Sequence, residues 1–254
     1  MRVVTDLSML SRPMRPRTAT TAPPPPPPPT GGFDNYAVQH DASAAAALYS
    51  DSAATRLAAD GQAVAHVADQ SGLSNNATQP IVAARPVARM SGALAWLEFD
   101  GLDDRMIVSP DPSWRGADMS IIMVVRLQSV SSAGARVIAG GVDGAYVALY
   151  QSGSTSTALG QGTARYVNGA FIAGNTRGDL YTAWVRDDWV VIEVAGVDFS
   201  NANFASGMQF PGWRSDSNLA NCEIAEVLIL STSDADANRA DIVAALVAKF
   251  GITS

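Results

Sequence analysis

Two carboxylates on one face are the least that glycoside hydrolysis requires. The stretch that comes nearest in this chain is Glu98-Phe-Asp100-Gly-Leu-Asp103. Its third acid is an aspartate, one methylene shorter than a glutamate. Gly101 also interrupts the alternation that would keep all three side chains on one strand face. The stretch therefore reads as a turn. Asp100, Asp103 and Asp104 are the metal candidates, since calcium favours clustered carboxylates; against that stands an Asp-rich turn that caps its own backbone. No cofactor is expected, and calcium is the one ion considered. No Gly-x-Ser-x-Gly occurs, and His40 and His66 lack a recognisable Ser or Cys partner. Nor does their spacing match a metal motif. Cys222 is the single cysteine, which excludes an intrachain disulfide and a cysteine zinc site; inside CEIAEVLIL it reads as a small buried hydrophobe. The Gly-x-Gly of TALGQGTAR does not open a βα unit and is not a phosphate loop. No catalytic residue is assigned, and the chain is expected not to be an enzyme.

Binding chemistry is better represented. An aromatic ring can stack on a sugar face, and loops at the end of a scaffold carry function more often than its strands do. Trp114-Arg115 in PSWRG and Trp213-Arg214 in PGWRS both sit in Pro/Gly loops. These four residues are the glycan-binding candidates. Trp96, Trp184 and Trp189 lie in strand-like stretches and read as core or sheet surface.

The elements that must carry these residues form three parts. Residues 1–21 hold one small apolar cluster followed by a basic, Pro-containing stretch, too little to bury a core alone. They read as an N-terminal anchoring arm, with Arg2, Leu7, Leu10, Arg12, Arg15 and Arg17 as its contacts to other proteins. Residues 22–32, APPPPPPPTGG, read as a polyproline II linker about 22 Å long. Residues 33–254 read as one domain. The net charge of −7 is unevenly placed: the first 30 residues carry +3, leaving −10 for the rest. An acidic body argues against nucleic acid. No apolar run approaches the length of a membrane span, and the start lacks the continuous apolar region of a signal peptide. Synthesis in a cytoplasm is expected.

Within the domain, short apolar stretches alternate with Gly, Asn, Asp and Ser turns, the pattern of a sandwich or barrel. MSIIMVVRL (119–127) reads as a strand buried on both faces. ARYVNGAFIAG (164–174) reads as a hairpin turning at Asn-Gly, and DLYTAWVRDDWVVIEVAG (179–196) as two strands around 186–188. In DQSGLSNNATQ, Asp69, Ser71, Asn75 and Asn76 are placed to bond their own loop's backbone. The end changes period. Ser233 with Asp236 reads as a cap, and Ile242, Val243, Leu246, Val247 and Phe250 share one helical face. One amphipathic helix is expected over about 234–250, closed by Gly251.

Three stretches in order carry a resemblance: LYSDSAATRLAADGQAVAHVADQSGLSNNATQPIVAARPV (48–87), WLEFDGLDDRMIV (96–108), and EIAEVLIL with DANRADIVAALVAKFGI (within 223–252). Together they are similar to the LamG-like, concanavalin A-type jelly-roll domains of bacteria, tailed phages and phage-like gene transfer agents. The family resemblance implies an all-β jelly-roll sandwich, with the Pro-rich arm in front and the helix behind. It also implies a virion structural protein such as a spike, fibre head or decoration. In that reading the chain is a homo-oligomer anchored to other virion proteins by its arm, and its sandwich binds host cell-surface polysaccharide. The alternative is a free carbohydrate-binding module or a glycan-degrading enzyme. Aromatics common in these relatives are replaced at HVADQSG and at Arg105.

Overall fold

The structure is a computed structural model. It describes residues 35–44, 46–128, 136–157, 160–184, 187–212 and 219–253. The arm, with Arg2, Leu7, Leu10, Arg12, Arg15 and Arg17, and the polyproline linker lie outside the described residues, as do Trp213 and Arg214.

In chain order the strands begin with β1 (Val38–Asp41), β2 (Leu48–Tyr49), β3 (His66–Val67) and β4 (Ala77–Thr78). Next come β5 (Val87–Ser91), β6 (Leu94–Asp100), β7 (Met106–Val108) and β8 (Met119–Leu127). Then follow β9 (Arg136–Val137), β10 (Gly140–Gly141), β11 (Leu149–Tyr150), β12 (Ala164–Val167) and β13 (Ala170–Phe171). Helix α1 (Arg177–Ala183) precedes β14 (Trp189–Val197), β15 (Met208–Phe210), β16 (Asn221–Ser231) and helix α2 (Thr232–Phe250).

These strands form an all-β sandwich. The main sheet has eight strands in the order β13-β12-β14-β8-β16-β6-β5, with β1 also pairing β16. The facing sheet has the order β10-β15-β7-β4-β3-β2. The core lies between them, where Phe99, Met123, Val125, Ile192 and Ile224 of the main sheet meet Met106, Val108, Met208 and Phe210 of the other. The other face of the main sheet is covered by α2. There Ile242, Val243, Leu246 and Phe250 pack on Ile122, Val124, Val191, Ala225 and Leu228. Sheet on one side and helix on the other explain why β8 is apolar almost throughout: a strand buried on both faces loses its alternation.

Local chemistry sets the turns. Asn168 and Gly169 both take positive φ, 47° and 81°, as a tight primed turn demands, and they join β12 to β13. Asp69 acts as the hub of its loop. It accepts from Gln39 N at 2.8 Å, Ser71 N at 3.0 Å, Ser71 Oγ at 2.6 Å and Asn75 N at 2.8 Å, and Asn76 Oδ1 accepts from Asp69 N at 2.8 Å.

Two expectations need correction. Residues 179–196 are not two strands: the first part is α1, started by a capping box in which Thr176 and Asp179 satisfy each other's backbone donors. Thr-x-x-Asp at 176–179 is the signal for it, and it outweighs the strand-like apolar residues that follow. Helix α2 begins two residues before its expected start, because Ser231, not Ser233, is its N-cap and accepts from Asp234 N. Gly251 closes it as expected.

The direction of α2 defines two ends of the main sheet. Asn35 Nδ2 donates to Asp234 Oδ2 at 3.2 Å, so the chain enters the fold at the end of β16 where α2 begins. Helix α2 then returns along the sheet, and Phe250 meets Trp189 with ring centroids 6.2 Å apart. Two polar clamps hold it down. Arg239 pairs with buried Glu193 through two bonds of 2.7 and 2.9 Å and lies 3.7 Å over the Tyr166 ring. Lys249, the only lysine, bridges Asp41 at 2.6 Å and Glu226 at 2.7 Å.

Candidate functional site

Where α2 ends, the outer face of the main sheet stays open, and a row of charged and aromatic side chains crosses it. Val87 of β5 pairs with Glu98 of β6, Glu98 with Glu223 of β16, Glu223 with Arg126 of β8, and Arg126 with Trp189 of β14. One step along the same face, Arg89 pairs with Trp96. At about 4.8 Å per strand, the row from Val87 to Trp189 is about 19 Å long.

Alternation along each strand creates the row. In β6 the odd-numbered residues Ala95, Leu97 and Phe99 are buried toward the core, which turns Trp96, Glu98 and Asp100 outward. In β8, Arg126 is the one residue of the strand that is not fully buried. Ion pairs then cross the strands, Arg89 with Glu98 and Arg126 with Glu223. The Arg126 guanidinium sits 5.8 Å from the Trp96 ring centroid and 5.0 Å from that of Trp189. The two indoles meet edge to face at 5.9 Å. Arg89, Glu98 and Arg126 keep 40%, 34% and 31% of their side-chain surface, whereas Glu223 keeps 9%. Burial, reinforced by the Glu98 charge, holds the Glu223 carboxyl above the usual range, against the pull of Arg126. The Trp96 Nε1–H is buried and has no hydrogen-bond partner among the described residues. The face thus offers guanidinium donors, carboxylate acceptors and indole edges, the groups that bind sugar hydroxyls.

Beyond Glu98 the strand ends in the acid turn. One oxygen of each of Asp100, Asp103 and Asp104 lies within 4.8 Å of the others, so the turn could hold a metal ion. The turn also caps itself: Asp100 Oδ1 accepts from Leu102 N at 2.8 Å, and Asp104 Oδ2 accepts from Asp100 N at 3.2 Å. Burial, with the Asp100, Asp103 and Glu98 charges adding to it, pushes the Asp104 carboxyl up to about 7. Gly101 has φ +75° and fits where a Cβ would lie 2.9 Å from Asn221 N.

The loop candidates separate. Trp114 is fully buried, donates Nε1–H to Ser109 O at 3.0 Å and packs edge-on against Phe199 at 5.6 Å. No ring face remains for a sugar, so the binding role expected of Trp114 is corrected to a core role. Arg115 stays half-buried beside a shallow cleft of about 280 Å3 lined by Pro110, Asp111, Pro112 and Ser200. It donates to Phe199 O at 3.4 Å and Ser200 O at 3.3 Å. This cleft belongs to the entry end, since Ser113 Oγ accepts from Asn75 Nδ2, which also donates to Ala37 O beside β1. Trp184 is core, while Trp96 and Trp189 lie on the sheet surface, half-buried. Sequence reasoning missed the row as a unit. Its signals were the Trp96-x-Glu98 alternation and a lone Arg126 ending an apolar strand.

No helix among the described residues is long and apolar enough to cross a membrane. No family model and no curated protein matches the chain. Solved structures do. A Trypanosoma rangeli sialidase in complex with 2,3-difluoro-KDN is 12% identical, with TM-score 0.44, over 87% of this chain and 36% of that one. The T. rangeli sialidase in complex with sialic acid is also 12% identical, with TM-score 0.44, over 81% and 33%. The chain therefore spans about a third of the length of these sialidases. The expectation that the chain is not an enzyme is corrected by these matches to sialidases and is withdrawn. At this identity and TM-score the likeness assigns no activity to the chain.

Proposed function

We propose that the chain is a display protein of a tailed phage or phage-like particle, with a jelly-roll sandwich that binds surface glycan on the open face of its main sheet. The observation that carries this reading is the in-register row of Arg89, Trp96, Glu98, Arg126, Trp189 and Glu223 at the end of the sheet away from the chain's entry. From Glu223 to Ser231 is eight residues along β16, about 26 Å at 3.2–3.4 Å each. A head attached through the chain that enters at Asn35 turns this row outward and the Arg115 cleft inward. The LamG-like resemblance and the basic arm before the polyproline stretch support the particle setting, and a symmetric homo-oligomer fits it.

The test is a glycan array with the intact chain and three variants. Trp96→Ala and Arg126→Ala are expected to weaken binding at least 10-fold, and Arg115→Ala to leave it unchanged. No binding by the intact chain, or equal binding by all four proteins, overturns the reading. For the particle role, a chain lacking residues 1–32 is expected to fold and to be absent from purified particles; normal incorporation refutes the anchor.

One observation favours a second reading, glycoside cleavage. Glu98 and Glu223 are direct partners across antiparallel strands, which puts their Cβ atoms about 5 Å apart and sets two carboxylates side by side on one face, the pair that glycoside hydrolysis requires. Release of reducing ends from a bound oligosaccharide, abolished by Glu223→Gln with binding kept, would establish it.

A further inference from the structure

We infer that the open face selects uncharged glycan and rejects anionic glycan such as sialylated or sulfated chains; this rests on the glycan-binding reading above. Both arginines of the row are already spoken for, Arg89 by Glu98 and Arg126 by Glu223. Neither guanidinium is left with an uncompensated charge for a ligand carboxylate or sulfate. The surroundings add more negative than positive charge. Across the row and its adjoining turn, Arg89, Arg105 and Arg126 stand against Glu98, Glu223, Asp100 and Asp103, and Asp104, pushed up to about 7, adds part of a further negative charge. On the neighbouring stretch of the same face, Lys249 is outnumbered by Asp41 and Glu226, and beside Arg89 lies Asp60. The body beyond residue 30 carries −10 overall. An anion approaching this face meets a repulsive field and must also displace a carboxylate to reach a guanidinium. A neutral sugar meets neither cost, because its hydroxyls can bridge between a guanidinium N–H and a carboxylate oxygen with both ion pairs intact.

The size of the effect sets the experiment. Two or three unbalanced charges about 10 Å from a ligand anion oppose it several-fold in affinity at low salt. That opposition fades as the Debye length falls to about 3 Å at 1 M salt. The intact chain is titrated with matched oligosaccharides that share one neutral core and differ by a terminal sialic acid or a sulfate, at about 10 mM and 500 mM salt. Binding of the neutral member is expected at both. The anionic members are expected to bind at least 5-fold more weakly at low salt, with the gap narrowing at high salt. Asp100→Asn with Asp103→Asn keeps the acceptor oxygen that Leu102 N uses, and it is expected to narrow the gap at low salt without moving the neutral member's affinity. Anionic members that bind as well or better at low salt, and lose that binding in Trp96→Ala, overturn the selectivity and leave the glycan-binding face standing. Binding of no member overturns both. A gap unchanged by salt and by the double variant overturns the electrostatic cause.

Discussion

His40 is a titration probe sealed inside the sandwich. It is 3% exposed, its Nε2 lies 2.8 Å from Asn75 O, and its Nδ1 has no partner among the described residues. A carbonyl can only accept, so Nε2 carries a proton; burial, with no acceptor at Nδ1 for a second one, keeps the ring neutral. Burial lowers its pKa from 6.5 to about 4; the Asn75 carbonyl and the nearby Asp69 charge act the other way, and His66 adds slightly to the lowering. Between pH 4 and 6.5 the unfolded chain therefore binds a proton that the folded chain does not. The stabilisation is complete above pH 6.5 and is lost as pH falls to 4. At 1.36 kcal/mol per unit, the loss is about 3 kcal/mol. The perturbation is His40→Gln, which keeps an N–H donor for Asn75 O and removes the titration. Urea unfolding, followed by tryptophan fluorescence at pH 7.5, 6.0, 5.0 and 4.2, measures both proteins. The carboxylates held above their usual range, Asp104, Glu223 and Glu226, have the opposite sign and cancel in the difference. Wild type is expected to lead at pH 7.5, with its lead shrinking by about 3 kcal/mol by pH 4.2. A lead that stays constant across this range, or a His40 NMR titration near 6.5, refutes the reasoning.

Four further outcomes follow from the packing. Arg239→Ala leaves buried Glu193 without its bidentate partner and is expected to cost about 3 kcal/mol in chemical denaturation, with α2 amides the first to lose hydrogen-exchange protection. Lys249→Met leaves Asp41 and Glu226 facing each other; its destabilisation is expected to be largest near pH 8 and to shrink toward pH 4.5 as Glu226 takes a proton, which pH-dependent melting will show. Trp114→Ala is expected to cost about 3–5 kcal/mol, while at a temperature where it stays folded its glycan binding should match wild type. Gly101→Ala forces a Cβ against Asn221 at positive φ, and a melting-temperature loss equivalent to about 1–3 kcal/mol is expected.

Much of the sandwich was legible because its signals are local. The Asn168-Gly169 hairpin, the Asp69 loop, the apolar run of β8 and the α2 face all depend on residues a few positions apart. The α1 helix was obscured because its apolar residues, Leu180 and Tyr181, resemble a strand start and its cap lies just upstream. The row on the open face was hidden for a different reason. Glu98, Arg126, Trp189 and Glu223 come from four strands spread over more than a hundred residues, and only the pairing register puts them side by side. Trp114 misled in the opposite direction: a Pro/Gly loop looks exposed in sequence, yet that loop folds its tryptophan back into the core.

The pairing of β1 has a mechanical meaning. β1 shares one side of β16 with β6, and its four residues pair with Ile229, Leu228, Val227 and Glu226. It runs inward from the end where the chain enters. A pull on residue 35, resisted by a ligand held at the far end, acts along the strand axis. The hydrogen bonds between β1 and β16 are then strained together in shear, not unzipped one after another. Lys249 adds a cross-pin from α2 to Asp41 at the last residue of β1. A tether attached at Asn35 thus delivers its load to β16, the strand that pairs with β1, β6 and β8 at once.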